Sequence, residues 1–131
     1  MPEADTCAAV ADRLFDAIER GDIATVGAMF DPEVAVWHSG DDRDSDHARS
    51  VKIIDWFIRT TADRTYQILD LQLFAGGFVQ QHILHATART GASIAMRVCI
   101  VIKVGDDGLI RRVDEYFDPA EMSPLLAGSA S

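Results

Sequence analysis

The stretch "TYQILDLQLFAGGFVQQHILHATARTGASIAMRVCIVIKVGDDGLIRRVDEYF" runs from Thr65 to Phe117. Glycine-bearing turns at Gly76-Gly77, Thr90-Gly91 and Gly105–Gly108 divide it into four runs, 65–74, 78–88, 93–104 and 109–117. Each run is rich in the branched and aromatic residues that suit a pleated surface. The pattern predicts a meander of long antiparallel strands.

Upstream the periodicity is helical. Residues 5–20 place Val10, Leu14, Ala17 and Ile18 on one face, with Asp5 or Thr6 as cap and Arg20-Gly21 as stop. Asp22 can cap a second short helix whose Ile23, Val26 and Met29-Phe30 share a face, and Asp31-Pro32 ends it. "EVAVWH" (33–38) reads as a short strand. A third helix, about 48–61, carries Val51, Ile54, Phe57 and Ile58 on a wide apolar face. After Asp118-Pro119 a short helical turn is expected, and the Ala-Gly-Ser end is expected to fray. The order predicts an α+β domain in which a curved antiparallel sheet wraps around three N-terminal helices. One domain over 1–131, with its core at about 5–120, is expected for this length. A sheet curled in this way is a cone with one open end, a shape that takes a small molecule.

Bulk properties narrow the function. The net charge of -9 argues against nucleic acid and against anionic membrane surfaces, since both need basic patches. No apolar run reaches the roughly 18–20 residues of a spanning helix. The opening "MPEADTCAAVADRLF" has acids where a secretory signal has basic residues, so a cytoplasmic location is expected. Cys7 and Cys99 are far apart and outside any CxxC pair, which reads as two ordinary thiols.

"VWHSGDDRDSDHARS" (36–50) has the look of a metal loop, with Asp41, Asp42, Asp44 and Asp46 between His38 and His47. Asp42, Asp44 and Asp46 begin a calcium-loop pattern. It then fails where Gly and Glu are required, at His47 and Ile53. His38, His47 and an aspartate have no spaced zinc or iron signature. Neither metal nor cofactor is therefore expected. The loop reads as a hydrated segment whose Ser45 or Asp46 caps the third helix.

Three further stretches carry a resemblance. "FDAIERGDIATVGAMFDPEVAVWHS", "FVQQHILHATARTG" and "DGLIRRVDEYFDPAEM" resemble the opening, the central hairpin and the final strand of the nuclear transport factor 2-like superfamily. That group includes ketosteroid isomerases, limonene-epoxide hydrolases and SnoaL-like polyketide cyclases. The resemblance covers about residues 5–120. It implies the cone-shaped α+β barrel, a hydrophobic small-molecule substrate and a homodimer across the outer sheet face.

Candidate chemistry follows from the strand faces. Glu115 shares a face with Val113 and Phe117, and a carboxyl in such a setting suits acid or base work. Its place resembles that of the catalytic aspartate of the epoxide hydrolases, whose arginine-aspartate-tyrosine-phenylalanine becomes Asp114-Glu115-Tyr116-Phe117 here. His38 falls near the general base of ketosteroid isomerases. A slip of one residue turns Trp37 and Ser39 inward instead. On the central strand Gln81, Ile83 and His85 share one face, and Gln80, His82 and Leu84 the other. The epoxide hydrolases' arginine and aspartate fall at Gln81 and Ile83, so their charge-coupled set is missing; one residue over, Gln80 and His82 offer polar groups. The oxyanion acid of the isomerases falls near Ile100 and their tyrosine near Phe15, so that mechanism is not expected. The sequence also lacks G-x-S-x-G and any phosphate loop.

The expectation is a cofactor-independent enzyme working by general acid/base catalysis on a hydrophobic molecule, as isomerase, cyclase, epoxide hydrolase or dehydratase. Glu115, His38 and His82 are its catalytic candidates. Trp37, Ser39, Trp56, Phe78, Gln80, Gln81, Val113 and Phe117 are its pocket candidates. The alternative is a non-catalytic ligand-binding or dimerisation module.

Overall fold

A computed structural model describes residues 1–129, with side chains as far as Leu126. Helices α1 (Ala4–Arg20) and α2 (Ile23–Met29) lead into strand β1 (Phe30–His38), and helix α3 (His47–Thr60) follows. Strands β2 (Thr61–Phe74), β3 (Gly77–Ala88), β4 (Ser93–Val104) and β5 (Ile110–Tyr116) form the meander. A 3-10 turn (Pro119–Met122) and helix α4 (Ser123–Ser129) close the described chain. The last part of the end expected to fray, residues 130–131, lies outside the described residues.

The helix ends are set by local chemistry. Neither Asp5 nor Thr6 caps α1; the helix starts one residue earlier, with Glu3 at the cap position and no side-chain cap bond. Gly21, at φ 73, sends its N–H back to Ala17 and Ile18 carbonyls and stops the helix, a conformation that suits glycine. Asp22 caps α2 by accepting from Thr25 N–H at 3.1 Å. Asp46 caps α3 by accepting from Arg49 N–H at 2.9 Å. Arg64 donates to the Ile18 carbonyl at 3.0 Å and the Ile58 carbonyl at 3.1 Å. One guanidinium thus serves orphan carbonyls at the C-termini of two helices and ties both to β2.

The strands form one open five-stranded sheet in the order β1-β5-β4-β3-β2. β2 to β5 form the expected antiparallel meander, and β1 makes the sheet mixed by pairing with β5 in parallel, His38 opposite Glu115. Hairpin signals describe only strands joined by a tight turn, and β1 and β5 are separated by α3 and the meander. β1 also begins at Phe30 rather than Glu33. It runs through Pro32 because it is an edge strand, with an irregular register between Phe30 and Ala35.

Along β3, Phe78, Gln80, His82, Leu84, Ala86 and Ala88 are buried. They face the helices, where α1 packs its Val10, Leu14 and Ile18 stripe. Cys7 is buried and Cys99 half-buried, and both are free thiols. Among the described residues no helix is long and apolar enough to cross a membrane.

Candidate active site

β1 settles the register question. Val34 and Val36 are buried, and alternation carries His38 to the same inner face. Trp37 therefore turns outward, against the wall role expected of it. Its ring packs on Tyr116 at a centroid distance of 5.2 Å, and its Nε1–H donates to the Asp41 carbonyl at 3.0 Å. The chain then turns back on itself. Asp41 N–H donates to the His38 carbonyl at 2.9 Å, and Gly40 takes φ 95 at the third place of this four-residue turn. The turn returns the Asp41 carboxylate to His38. Oδ2 accepts from His38 N–H at 3.0 Å and lies 3.3 Å from Nδ1.

On the other side of the ring, His38 Nε2 lies 3.3 Å from Glu115 Oε1. The parallel register of β1 on β5 makes this contact. Ser39 seals the strand ends: its N–H donates to the Glu115 carbonyl at 3.0 Å, and its Oγ accepts from Phe117 N–H at 3.0 Å. Glu115 sits opposite Ile100 of β4, between Val113 on its own strand and Phe117 just past the strand's end. Burial there raises its pKa above the ordinary carboxyl range, and the neighbouring His38 opposes the shift.

These groups form the polar end of a cavity of about 290 Å³. All five strands, α1 and α3 contribute to its lining. Trp56, Phe57, Val113, Phe117, Met96 and Ile100 are among its apolar walls. Its polar side chains are His38, Ser39, Asp41, Tyr66 and Glu115. Tyr66 was not legible as a site residue. It enters from β2, and burial followed by the charge of Glu115 raises its pKa, so the phenol stays protonated.

Several expected site residues lie elsewhere. His82 is fully buried but does not line this cavity. Its Nδ1 is 2.9 Å from Gln80 Nε2, and its ring meets Tyr66 and Phe15 edge-on at 4.9 and 5.4 Å. Burial lowers its pKa to about 4, so it is neutral near pH 7. Its Nε2 and Gln80 Oε1 have no partner among the described residues. Gln80 borders a smaller crevice of about 210 Å³ beside α1, together with Asp12, Asp16 and Glu19. Phe78 is wholly in the core, and Gln81 is exposed on the outer sheet face.

The acidic loop is held by protein contacts. Asp44 and Asp114 share Arg112, each within 2.9 Å. Asp46 caps α3, and His47 Nε2 lies 2.8 Å from the Gly27 carbonyl. Among the described residues no group of three or more His, Cys, Asp or Glu is placed to hold a metal ion.

Comparison with known proteins agrees with this architecture. PrhC from Penicillium brasilianum superposes with a TM-score of 0.82 at 15% identity, over 97% of this chain and 89% of its own. An M. tuberculosis LEH-like epoxide hydrolase gives 0.78 at 19% identity, over 98% and 96%. SalBIII, an epoxide hydrolase/cyclase-like enzyme of pyran ring formation in salinomycin, gives 0.80 at 12%, over 92% and 97%. At these identities the likeness is one of fold. Among curated protein sequences none matches the chain. The SnoaL-like domain model, by contrast, matches residues 11–113, most of the chain. The protein is a member of the SnoaL-like domain family, within the nuclear transport factor 2-like superfamily.

Proposed function

We propose that the protein is an enzyme that moves a proton on a hydrophobic small molecule, with Glu115 as the transferring group and His38 as its partner. The observation that carries this is the 3.3 Å contact between Glu115 Oε1 and His38 Nε2 at the polar end of an otherwise apolar cavity. Desolvation favours the neutral carboxyl, so Glu115 holds a proton at a pH where an exposed glutamate has lost it. Such an acid protonates an oxygen of a bound carbonyl, alcohol or epoxide, and the carboxylate left behind accepts a proton from carbon or water. Isomerisation, ring closure, epoxide opening and dehydration all follow this pattern, and it draws on side chains alone. His82 has no part in it. It lies outside the cavity, and its neutral ring is used in packing.

Two of the similar structures are an epoxide hydrolase and an epoxide hydrolase/cyclase-like enzyme, whose reactions belong to the same class. The test is a panel of terpenoid, steroid and polyketide-like compounds screened for thermal stabilisation, then for turnover by mass spectrometry. Glu115→Gln is expected to keep ligand stabilisation and to lose about 10²–10⁴-fold in turnover. Turnover unaffected by Glu115→Gln would refute the role. Ligands that stabilise without any turnover would favour the alternative, a non-catalytic binding module.

A further inference from the structure

We infer that Asp41 is the positioning residue of this site: it keeps a proton on His38 Nδ1, so that Nε2 is the atom that exchanges protons with Glu115. This rests on the reading of Glu115 and His38 as the acid/base pair. A carboxylate can only accept, and Asp41 Oδ2 lies 3.3 Å from Nδ1 while also accepting from His38 N–H at 3.0 Å. The ring nitrogen beside it therefore carries the hydrogen, and the opposite nitrogen faces Glu115.

The carboxylate is held independently of the ring. Asp41 N–H is bound to the His38 carbonyl, and the Asp41 carbonyl accepts from Trp37 Nε1–H at 3.0 Å. Trp37 is thus a buttress for the turn. The groups facing the imidazole are Asp41 at Nδ1, Glu115 at Nε2 and the Phe117 ring, edge-on at 6.2 Å.

One proton is shared between Glu115 and Nε2, and it passes to the substrate. The site is left with a carboxylate and a neutral ring that still has its Nδ1–H. A proton released by the substrate, or taken from water at the cavity mouth, restores it.

The experiment is long-range proton–nitrogen NMR on the full chain carrying nitrogen-15 histidine, recorded above the ring's titration. Wild-type His38 is expected in the Nδ1–H form, the reverse of the Nε2–H form that an unrestrained histidine side chain favours. Asp41→Ala is expected to change the ratio of the two forms about tenfold or more toward Nε2–H, the equivalent of one charge-assisted hydrogen bond. Asp41→Asn, which keeps an acceptor oxygen, is expected to give a mixture. Wild-type His38 in the Nε2–H form overturns the inference without any variant, and so does an unchanged ratio in Asp41→Ala. The readout needs no substrate. The expected tautomer without turnover would sink the catalytic reading alone; turnover lost in Glu115→Gln with the ratio unmoved in Asp41→Ala would sink the role of Asp41 alone.

Discussion

Glu115 and His82 both sit on the inner face of the sheet, and burial moves their pKa values in opposite directions. For each, burial favours the neutral form, but only Glu115 meets a partner with which to exchange a proton. His82 has a consequence for stability. Its pKa falls from 6.5 to about 4 on folding, so the unfolded chain binds the proton more readily. The stability tied to its neutral ring is complete above pH 6.5 and is lost as pH falls through about 4. The full difference is about 3 kcal/mol. Urea unfolding of wild type and His82→Leu at pH 7 and pH 4.5 checks this. Wild type should lose about 2 kcal/mol more than the variant over that interval, and equal losses would contradict the assignment. At pH 7 the variant should itself be weaker by about 1–3 kcal/mol, because Gln80 loses its partner. The inward direction of Glu115 was legible from Val113-x-Glu115-x-Phe117, a plain period of two. The separation of roles between Glu115 and His82 was not, because local pattern says nothing about which inward groups converge across a curved sheet.

The turn after β1 is the element that assembles the site, and its sequence, His38-Ser39-Gly40-Asp41, carries a readable signal. Glycine in the third place of a tight turn returns the fourth residue to the first. That spacing alone points Asp41 back toward His38. The strand itself gave less help: Ala35, Val36 and Trp37 are apolar on both faces, so alternation could not choose between Trp37 and His38. Its parallel partner was invisible for another reason, since contacts between distant segments leave no local spacing. The turn makes a testable contrast with the β2–β3 hairpin. At Gly40 a Cβ would meet only Pro119 Cγ at 3.6 Å, so Gly40→Ala suffers from φ 95 alone, about 1–2 kcal/mol. At Gly77 a Cβ would collide with the Ile102 carbonyl and the Phe74 ring. Gly77→Ala should therefore cost more than Gly40→Ala in denaturant unfolding, by opening the β3–β4 ladder. Gly40→Ala should be the more damaging of the two to the His38 tautomer ratio, since it disturbs the turn and not the sheet. The opposite ranking in either measurement would show that the turn does not hold the site.

At the scale of the whole molecule, the cone encloses space that the core does not fill. Helices α1 and α3 cover the sheet incompletely, and the uncovered part is an apolar chamber with its polar groups gathered at Glu115 and His38 and a phenol at Tyr66. Its size limits what it holds. A cavity of about 290 Å³ lies at the small end of the range for small-molecule sites, roughly 300–1,000 Å³. One- or two-ring compounds bearing an oxygen are therefore the best fit, and four-ring skeletons exceed it unless the walls move. An apolar ligand that fits stabilises the folded state by mass action, by about 2.7 kcal/mol at one hundred times its dissociation constant. For a chain of this size that is a rise in Tm of about 10 °C. The expected outcome of the panel is a size cut: two-ring ketones and alcohols raise Tm, and their hydrocarbon counterparts raise it less for want of a partner for the polar end. Trp56→Ala, which removes an indole from the wall, should move the cut upward so that larger compounds begin to stabilise. A cut that stays where it was in Trp56→Ala, or stabilisation by four-ring compounds in wild type, would mean that the chamber in solution is not the one that the sheet and helices enclose here.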